Sequence, residues 1–553
     1  MLDVTAADRA GSTAPRAAEV APGVNPFVHV AGGAIVDTDG SPILLRGVGM
    51  GNWLLPEGYM WGFGDRTASP RQIEHLVRAL LGNDGADRFW RQFRARFVAE
   101  ADIARIAAEG FDHVRLPMNW RVLMSSTGAW LEDGFDCLDR LIDWCRTHGL
   151  RVLLDLHGAP GGQTGTNIDD SLGRPELFMD ERNGELTVEL WTEIARRYRD
   201  EPTVLGYDLL NEPLPDQWQH RFAEDLVALY RRVTAAVRRV DPHHLIMYEG
   251  MHWATSWDIF TEVWDHNSVL QFHKYWSPAD RPSIQRFLDV GAQLGLPVYM
   301  GEGGENIPEW LAAAFQLYED CGIGWNFWPW KKIATLSSPC SVTAPEGWDR
   351  VIAFADGTAG PPARADAERI FTDLLGAVEL RSCEYRPEVV NALFRRAPVA
   401  LPAYGFTFRG AGVSYEVGQP DTDPVVRADE TVALRRRDGA GTADFSYPPV
   451  DDEGATVVAD LEAGQWIEFE VELAAGSWDV SVVTEAGLGT ADEAPILSAG
   501  GVVLTARGAD LAAGRRSWSG TVVQGGTARI AIRVLAPTGG VTVASVDVRH
   551  ATT

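Results

Sequence analysis

"GYDLLNEPLP", residues 206–215, changes character halfway along. Tyr207, Leu209 and Leu210 suit a strand in a core, whereas Asn211, Glu212 and Pro213 do not. Pro213 has no N–H to give a sheet and favours an end to the strand there. A strand that carries an amide and a carboxylate out of the core at its C-terminal tip is the unit of a barrel whose chemistry sits at strand ends. The apolar run it belongs to is "VLGYDLLNE" (204–212), and seven other runs read the same way. They are "ILLRGVGMGNW" (43–53), "HVRLPMNW" (113–120), "RVLLDLHG" (151–158), "HLIMYEG" (244–250), "SVLQFHKY" (268–275), "PVYMGEGG" (297–304) and "GIGWNFWPW" (322–330). Short continuous apolar runs fit strands buried on both faces of a parallel sheet.

Segments with apolar residues at spacings of three and four separate the runs, among them "DIARIAAEG", "CLDRLIDWCRTHG" and "WLAAAFQLYEDCG". Each closes on Gly, as helices commonly do. Eight strands alternating with helices predict an α/β fold, a (β/α)8 TIM barrel over residues 27–400. "FVHVAGGAIVDTDGSPI" (27–43) reads as a hairpin across the barrel floor. Residues 54–98 read as a long connection, and 158–186 as another. Beyond 400 the helical period stops and short alternating strands with Gly turns begin. Residues 401–553 therefore predict an all-β sandwich. Residues 1–26 read as a disordered leader. They have no basic segment followed by an apolar one, so no signal peptide is expected. A cytoplasmic location follows if residue 1 is native, and export stays open if the chain was trimmed.

The 553 residues include 77 acidic and 49 basic ones, a net charge of −28. That balance excludes nucleic acid as an expected partner, because phosphate neutralisation needs an excess of Lys and Arg. It also opposes an anionic membrane surface, and no apolar stretch is long enough to insert in a bilayer. Five scattered cysteines without a CxxC pair argue against a disulfide framework or a zinc site. No cofactor motif such as HExxH or a Walker loop is present, and no cofactor or metal is expected. Oligomeric state is left open by the sequence.

The polar residues that end the runs carry the functional reading. They are Arg115, His157, Asn211, Glu212, Glu249, His273, Tyr275 and Glu302, with Trp328 and Trp330 on the last run. Any one of them could simply cap a strand. Together they would point into one mouth, and a core does not hold that many unpaired polar groups. Glu212 and Glu302 lie on the fourth and seventh strands, facing across the barrel. Two facing carboxyls, one protonated to donate to a leaving oxygen and one ionised to attack, are what glycoside hydrolysis requires. Arg115 would hold one of them ionised. Tyr275 could donate to the same group, and Trp328 would stack under a sugar ring. His157, Asn211 and His273 suit sugar hydroxyls, while Glu249 could touch substrate or only its neighbours.

"LLNEP", "MGEGG", "VRLPMNW", "LDLHGAPGGQ", "HKY" and "GWNFWPWK", in that strand setting, resemble glycoside hydrolase family 5 over about residues 30–400. "LHGAPGGQ" and "GVGMGNWL" are most similar to its exo-β-1,3-glucanase and β-glucosidase-like branches. The resemblance implies retention of anomeric configuration, with Glu212 as acid/base and Glu302 as nucleophile. It implies that Arg115, His157, Asn211, His273, Tyr275 and Trp328 surround the sugar at the cleavage site. Glu302 is preferred to Glu305 because it ends "PVYMG". Retention predicts carboxyl groups about 5–5.5 Å apart. "GQWIEFEVELAAGSWDVSVV" resembles carbohydrate-binding modules. Trp466 and Trp478 there read as core, while Tyr415, Tyr447 and Trp518 could stand exposed. The expected activity is that of an exo-acting retaining β-glycosidase on β-glucosides or β-gluco-oligosaccharides. A diglycosidase or glycolipid glycosidase is the second reading, and a non-catalytic carbohydrate-binding barrel the third. In all three the partner is a carbohydrate or glycoside.

Overall fold

A computed structural model describes residues 25–551, apart from 417, 419–423, 440, 449–455, 486–492 and 512–514. All but the last two residues of the leader read over 1–26 lie outside it. Eight parallel strands close into a barrel: β1 (Arg46–Gly49), β2 (His113–Asn119), β3 (Arg151–Gly158), β4 (Val204–Asp208), β5 (Leu245–Glu249), β6 (Ser268–His273), β7 (Val298–Gly304) and β8 (Gly324–Trp328). Every one falls inside a run read from the sequence. The expected floor hairpin is also present, pairing His29–Ala31 with Ala34–Val36. Val28 and Ile35 pack there against Leu153, Leu205, Leu245 and Val269, which start their strands. Phe27 stacks on His243 at 4.8 Å and closes the same end.

Residues 54–98 are not the long loop that the sequence suggested. Pro70–Arg96 is helix α1, opened by Ser69, whose amide is capped by Gln72 Oε1 at 3.0 Å. Its period is interrupted at Gly82, which takes φ +60 inside "LLGNDGAD". The turn-like composition at that kink hid two helical halves on either side. Phe89 in this insert packs against Phe371 at 5.0 Å, and Glu57 and Tyr59 near its start reach the site residues His157 and Trp328. The connection after β3 stays irregular up to the short turn Glu176–Phe178. Buried Asp170 pins that connection, receiving Arg71, Asn119, Trp120 and Arg121.

The C-terminal region forms two antiparallel sheets, as expected. One includes Val399–Pro402, paired with the last strand Val541–His550. The sheets rest on the helix Pro308–Asp320, α2 here, which follows β7. Most barrel helices are amphipathic, but Trp310 through Tyr318 are all buried. A helix apolar all round must be covered all round, and the sheets supply its outer cover. Trp466 and Trp478 are core as read; Tyr415 and Trp518 are also buried, at 5% and 9% exposure, contrary to expectation.

Candidate active site

Arg115 points into the barrel from the middle of β2 and is completely buried. Its Nη1 donates to Glu302 Oε1 (2.5 Å) and its Nε to Asp208 (2.9 Å). Its Nη2 serves Asn211 Oδ1 (2.8 Å) and Glu249 (3.1 Å), and lies 3.2 Å from Asp155. One cation is therefore shared among four carboxylates. The sequence reading has Arg115 hold one carboxylate ionised; in the structure its charge is divided among four. Burial pushes the Glu302 carboxyl up; His273 and Arg115 draw it down only in part, and Glu212 pushes it up again. The net direction is above the ordinary glutamate value.

Glu212 stands beyond the end of β4, where the chain leaves the sheet with φ +43. A non-glycine residue in that region is strained unless its surroundings fix it. Here Glu249 Oε2 accepts the Glu212 backbone N–H at 2.7 Å. Just before it, the Asn211 amide still reaches Leu156 O at 3.1 Å, and Gln163 Nε2 donates to the Asn211 carbonyl at 2.9 Å. Gln163 comes from "LHGAPGGQ", whose glycines allow a tight return. A Cβ on Gly162 (φ +75) would lie 2.3 Å from Ser171.

His273 joins the two halves. Its Nδ1 lies 2.7 Å from Glu212 and 3.7 Å from Glu302, and its Nε2 lies 3.3 Å from Glu249. Burial alone would lower its pKa, but the charges of Glu249 and Glu302 and the bond to Glu212 raise it well above the usual histidine value. Tyr275 donates to Glu302 Oε2 at 3.0 Å. Nδ1 of His273 and the nearest carboxylate oxygens of Glu212 and Glu302 all fall within 4.8 Å of one another. That spacing is close to the separation of a retaining pair and well short of the roughly 6.5–9.5 Å of an inverting one. Glu212 and Glu302 side chains keep 12% and 5% of their surface exposed, so both reach the mouth.

Glu249 takes the second of its two readings, and Trp328 departs from its own. Glu249 is fully buried beneath the mouth with both oxygens engaged, so it positions Arg115, His273 and the Glu212 amide instead of facing a sugar. Burial lifts its pKa, but His273, Arg115 and the Glu212 amide more than reverse this. Trp328 is 3% exposed and does not present an open ring. One face lies on His157 at 5.6 Å and 7° between planes, and its Nε1 donates to Tyr59 at 2.8 Å. Gly49 and Gly51 are required for this packing, because a Cβ on either would lie 2.5 Å from the indole. Burial lowers His157 to about 4, so it is neutral near pH 7. Asn211 gives its oxygen to Arg115, so its nitrogen faces His157 Nε2 (3.3 Å); Nδ1 is then left to donate to Asp155 at 2.8 Å.

The sequence reading missed Asp155, Asp208 and Glu57. The first two are single charges inside otherwise apolar strands, which is itself the signal that a strand faces a polar interior. Glu57 is 3% exposed and 3.9 Å from His157, and its Oε1 has no hydrogen-bond partner. Burial, then the charges of Glu302, Glu305 and Glu212, raise its pKa well above the ordinary value. Glu305, the rival to Glu302, is held instead by Lys332 Nζ at 2.5 Å. Trp276 stands at the rim, 52% exposed, with its Nε1 on the Glu305 carbonyl at 3.0 Å.

A (β/α)8 barrel with two facing carboxylates tied to one arginine and one histidine defines a class, and comparison with known proteins agrees. Residues 81–332 match the model of the cellulase family, glycosyl hydrolase family 5. A beta-xylosidase of Phanerodontia chrysosporium is 34% identical over 255 residues, 45% of this chain and 52% of that protein. A probable glucan 1,3-beta-glucosidase A of Aspergillus niger is 30% identical over 247 residues, 44% of this chain and 58% of that protein. The chain thus spans about half the length of these curated relatives. A solved endogalactoceramidase structure is 16% identical, with a TM-score of 0.45, covering 92% of this chain and 100% of that one.

Proposed function

We propose that this protein is a retaining O-glycoside hydrolase that acts by double displacement on β-glucosides or short β-gluco-oligosaccharides from one end. The observation that carries the reading is the close pair Glu212–Glu302 across the mouth. Glu302 attacks C1 while Glu212 protonates the leaving oxygen; Glu212 then takes a proton from water as the glycosyl–Glu302 ester is hydrolysed. Arg115 and Tyr275 hold the two Glu302 oxygens on line. Asn211 and His157 engage each other beneath the sugar site, and Glu57, whose Oε1 has no partner, offers a carboxyl to a sugar hydroxyl. The named relatives, a xylosidase and a glucosidase, support a single-sugar cleavage site.

The test is hydrolysis of aryl β-glycosides. Glu302→Ala should lower kcat by at least about 10⁴-fold, as loss of a nucleophile does, and product NMR should show the retained anomer first. Activity unchanged in Glu302→Ala, or an inverted product, refutes the mechanism. A second reading, cleavage of a sugar or disaccharide from an apolar aglycone, is favoured by the exposed indole of Trp276 at the rim. A Trp276→Ala change that spares oligosaccharides but slows aryl glycosides supports it.

A further inference from the structure

Away from the mouth, a cavity of about 650 Å³ lies between the barrel and the C-terminal sheets. Its barrel wall is the start of α2, with Asn306 and Glu309; its sheet wall includes Tyr404, Phe445, Arg437, Asp444, Ser545 and Asp547. The volume falls within the roughly 300–1,000 Å³ of small-molecule pockets. We propose that this cavity is a second ligand site, one that binds a neutral mono- or disaccharide.

The lining selects that chemistry. Tyr404 and Phe445 form a rigid aromatic corner, their rings 5.6 Å apart and nearly perpendicular. Such a corner suits the C–H faces of a sugar ring. Three carboxyls, Glu309, Asp444 and Asp547, disfavour an anion. The cations in the lining are Arg515 and Arg437, the latter charge-paired with Glu485 at 2.5 Å, so the three carboxyls still outnumber the positive charge left for a phosphate. Asp444 and Asp547 already receive Ser446 and Ser545 hydroxyls, at 3.0 and 2.9 Å. Among the described residues no side chain pairs with Glu309; burial raises its pKa, a backbone hydrogen bond opposes this in part, and Asp547 adds to the rise. A carboxyl that can carry a proton both donates and accepts, which matches a hydroxyl better than a cation. An apolar lipid chain would leave these polar groups unsatisfied.

The cavity also touches the segment that follows β7. Asn306 Nδ2 donates to Phe445 O at 2.9 Å, and Asn306 is only four residues beyond Glu302. An occupant would therefore bear on the segment that carries the proposed nucleophile.

Glucose, cellobiose and laminaribiose titrated calorimetrically into full-length Glu302→Ala protein test the site without turnover. One sugar should bind in a class of sites that Ser545→Trp removes and Glu309→Gln weakens fivefold or more. Glu309→Gln changes no volume and serves if Ser545→Trp fails to fold. Binding at the mouth should survive both changes. Equal stoichiometry and affinity in all three proteins, or no sugar bound outside the mouth, overturns the proposal. The inference does not depend on the proposed hydrolysis. If the mouth reading alone fails, the class of sites sensitive to Ser545→Trp remains; if the cavity reading alone fails, only that class is missing.

Discussion

Glu302 and Glu319 have the same side-chain exposure, 5%, yet their environments act on them in opposite directions. Glu319 closes α2 at the junction of barrel and sheets, where Arg46 (2.8 Å), Arg395 (2.7 Å) and Arg529 (3.0 Å) surround it. Burial raises its pKa, but the three guanidiniums overcome this and hold it down at about 2. At the mouth the ratio is reversed, with Arg115 divided among Asp155, Asp208, Glu249 and Glu302. Burial does not decide whether a carboxylate can hold a proton; the local ratio of arginines to acids does. The junction keeps its carboxylate charged, whereas the mouth biases Glu302 toward its protonated form.

The largest break in this comparison is removal of Arg115. Four buried acids would lose their shared cation, and Arg115→Met should cost about 3–5 kcal/mol, the usual cost of an uncompensated buried charge. Urea unfolding measures it. Arg115→Lys restores charge without the five-donor fork, so it should recover part of the stability and little of kcat. Equal stability in the wild type and Arg115→Met would show that the acids are neutral in the folded protein.

Glu319→Gln is the matched change at the junction. Three arginines would remain around a neutral amide, with an expected loss of about 2–3 kcal/mol at pH 7. The pH dependence carries the sign. Glu319 has its pKa depressed on folding, so its contribution is complete above the unfolded value near 4.5 and is lost as pH falls through about 2. The stability difference between wild type and Glu319→Gln should therefore shrink over that window. A constant difference would separate the effect from ionisation.

For Glu302 the sign is opposite. Its pKa is raised on folding, so the form that attacks appears only at higher pH than for a free glutamate. The acid limb of kcat/KM should lie above the ordinary glutamate pKa of about 4.3. Raising salt should leave that limb nearly in place, because screening reaches buried pairs poorly. A limb at or below the free value would mean that His273 and Arg115 outweigh burial in the free enzyme.

The barrel was legible because parallel strands buried on both faces leave unbroken apolar runs, and all eight fell where the runs lay. Glu212 and Glu302 were legible because a charge at the tip of such a run has no packing role. Asp155 and Asp208 escaped notice because they lie within the runs, where only the inward alternation of Arg115 and its partners explains them. Helix α1 escaped because "GNDG" has the composition of a turn. Trp328 was misjudged because a sequence does not reveal that Gly49 and Gly51 clear the space that buries it. The cover on α2 was written in "WLAAAF", a helix with no polar side, but its meaning depends on sheets far along the chain.

The smallest expected effect concerns metal. Glu212, His273 and Glu302 bring their ligand atoms within 4.8 Å, a grouping that a divalent ion could bridge. Metal binding needs His273 neutral, yet its three acidic neighbours favour its charged form. A proton on Nδ1, 2.7 Å from Glu212, already occupies the direction a metal would use. Dialysis against EDTA should therefore leave kcat and KM unchanged within error, and added zinc should inhibit only at high pH, where His273 loses its proton. Activity lost to EDTA and restored by one divalent ion would make the mouth a metal site and would leave Glu212 and Glu302 as ligands.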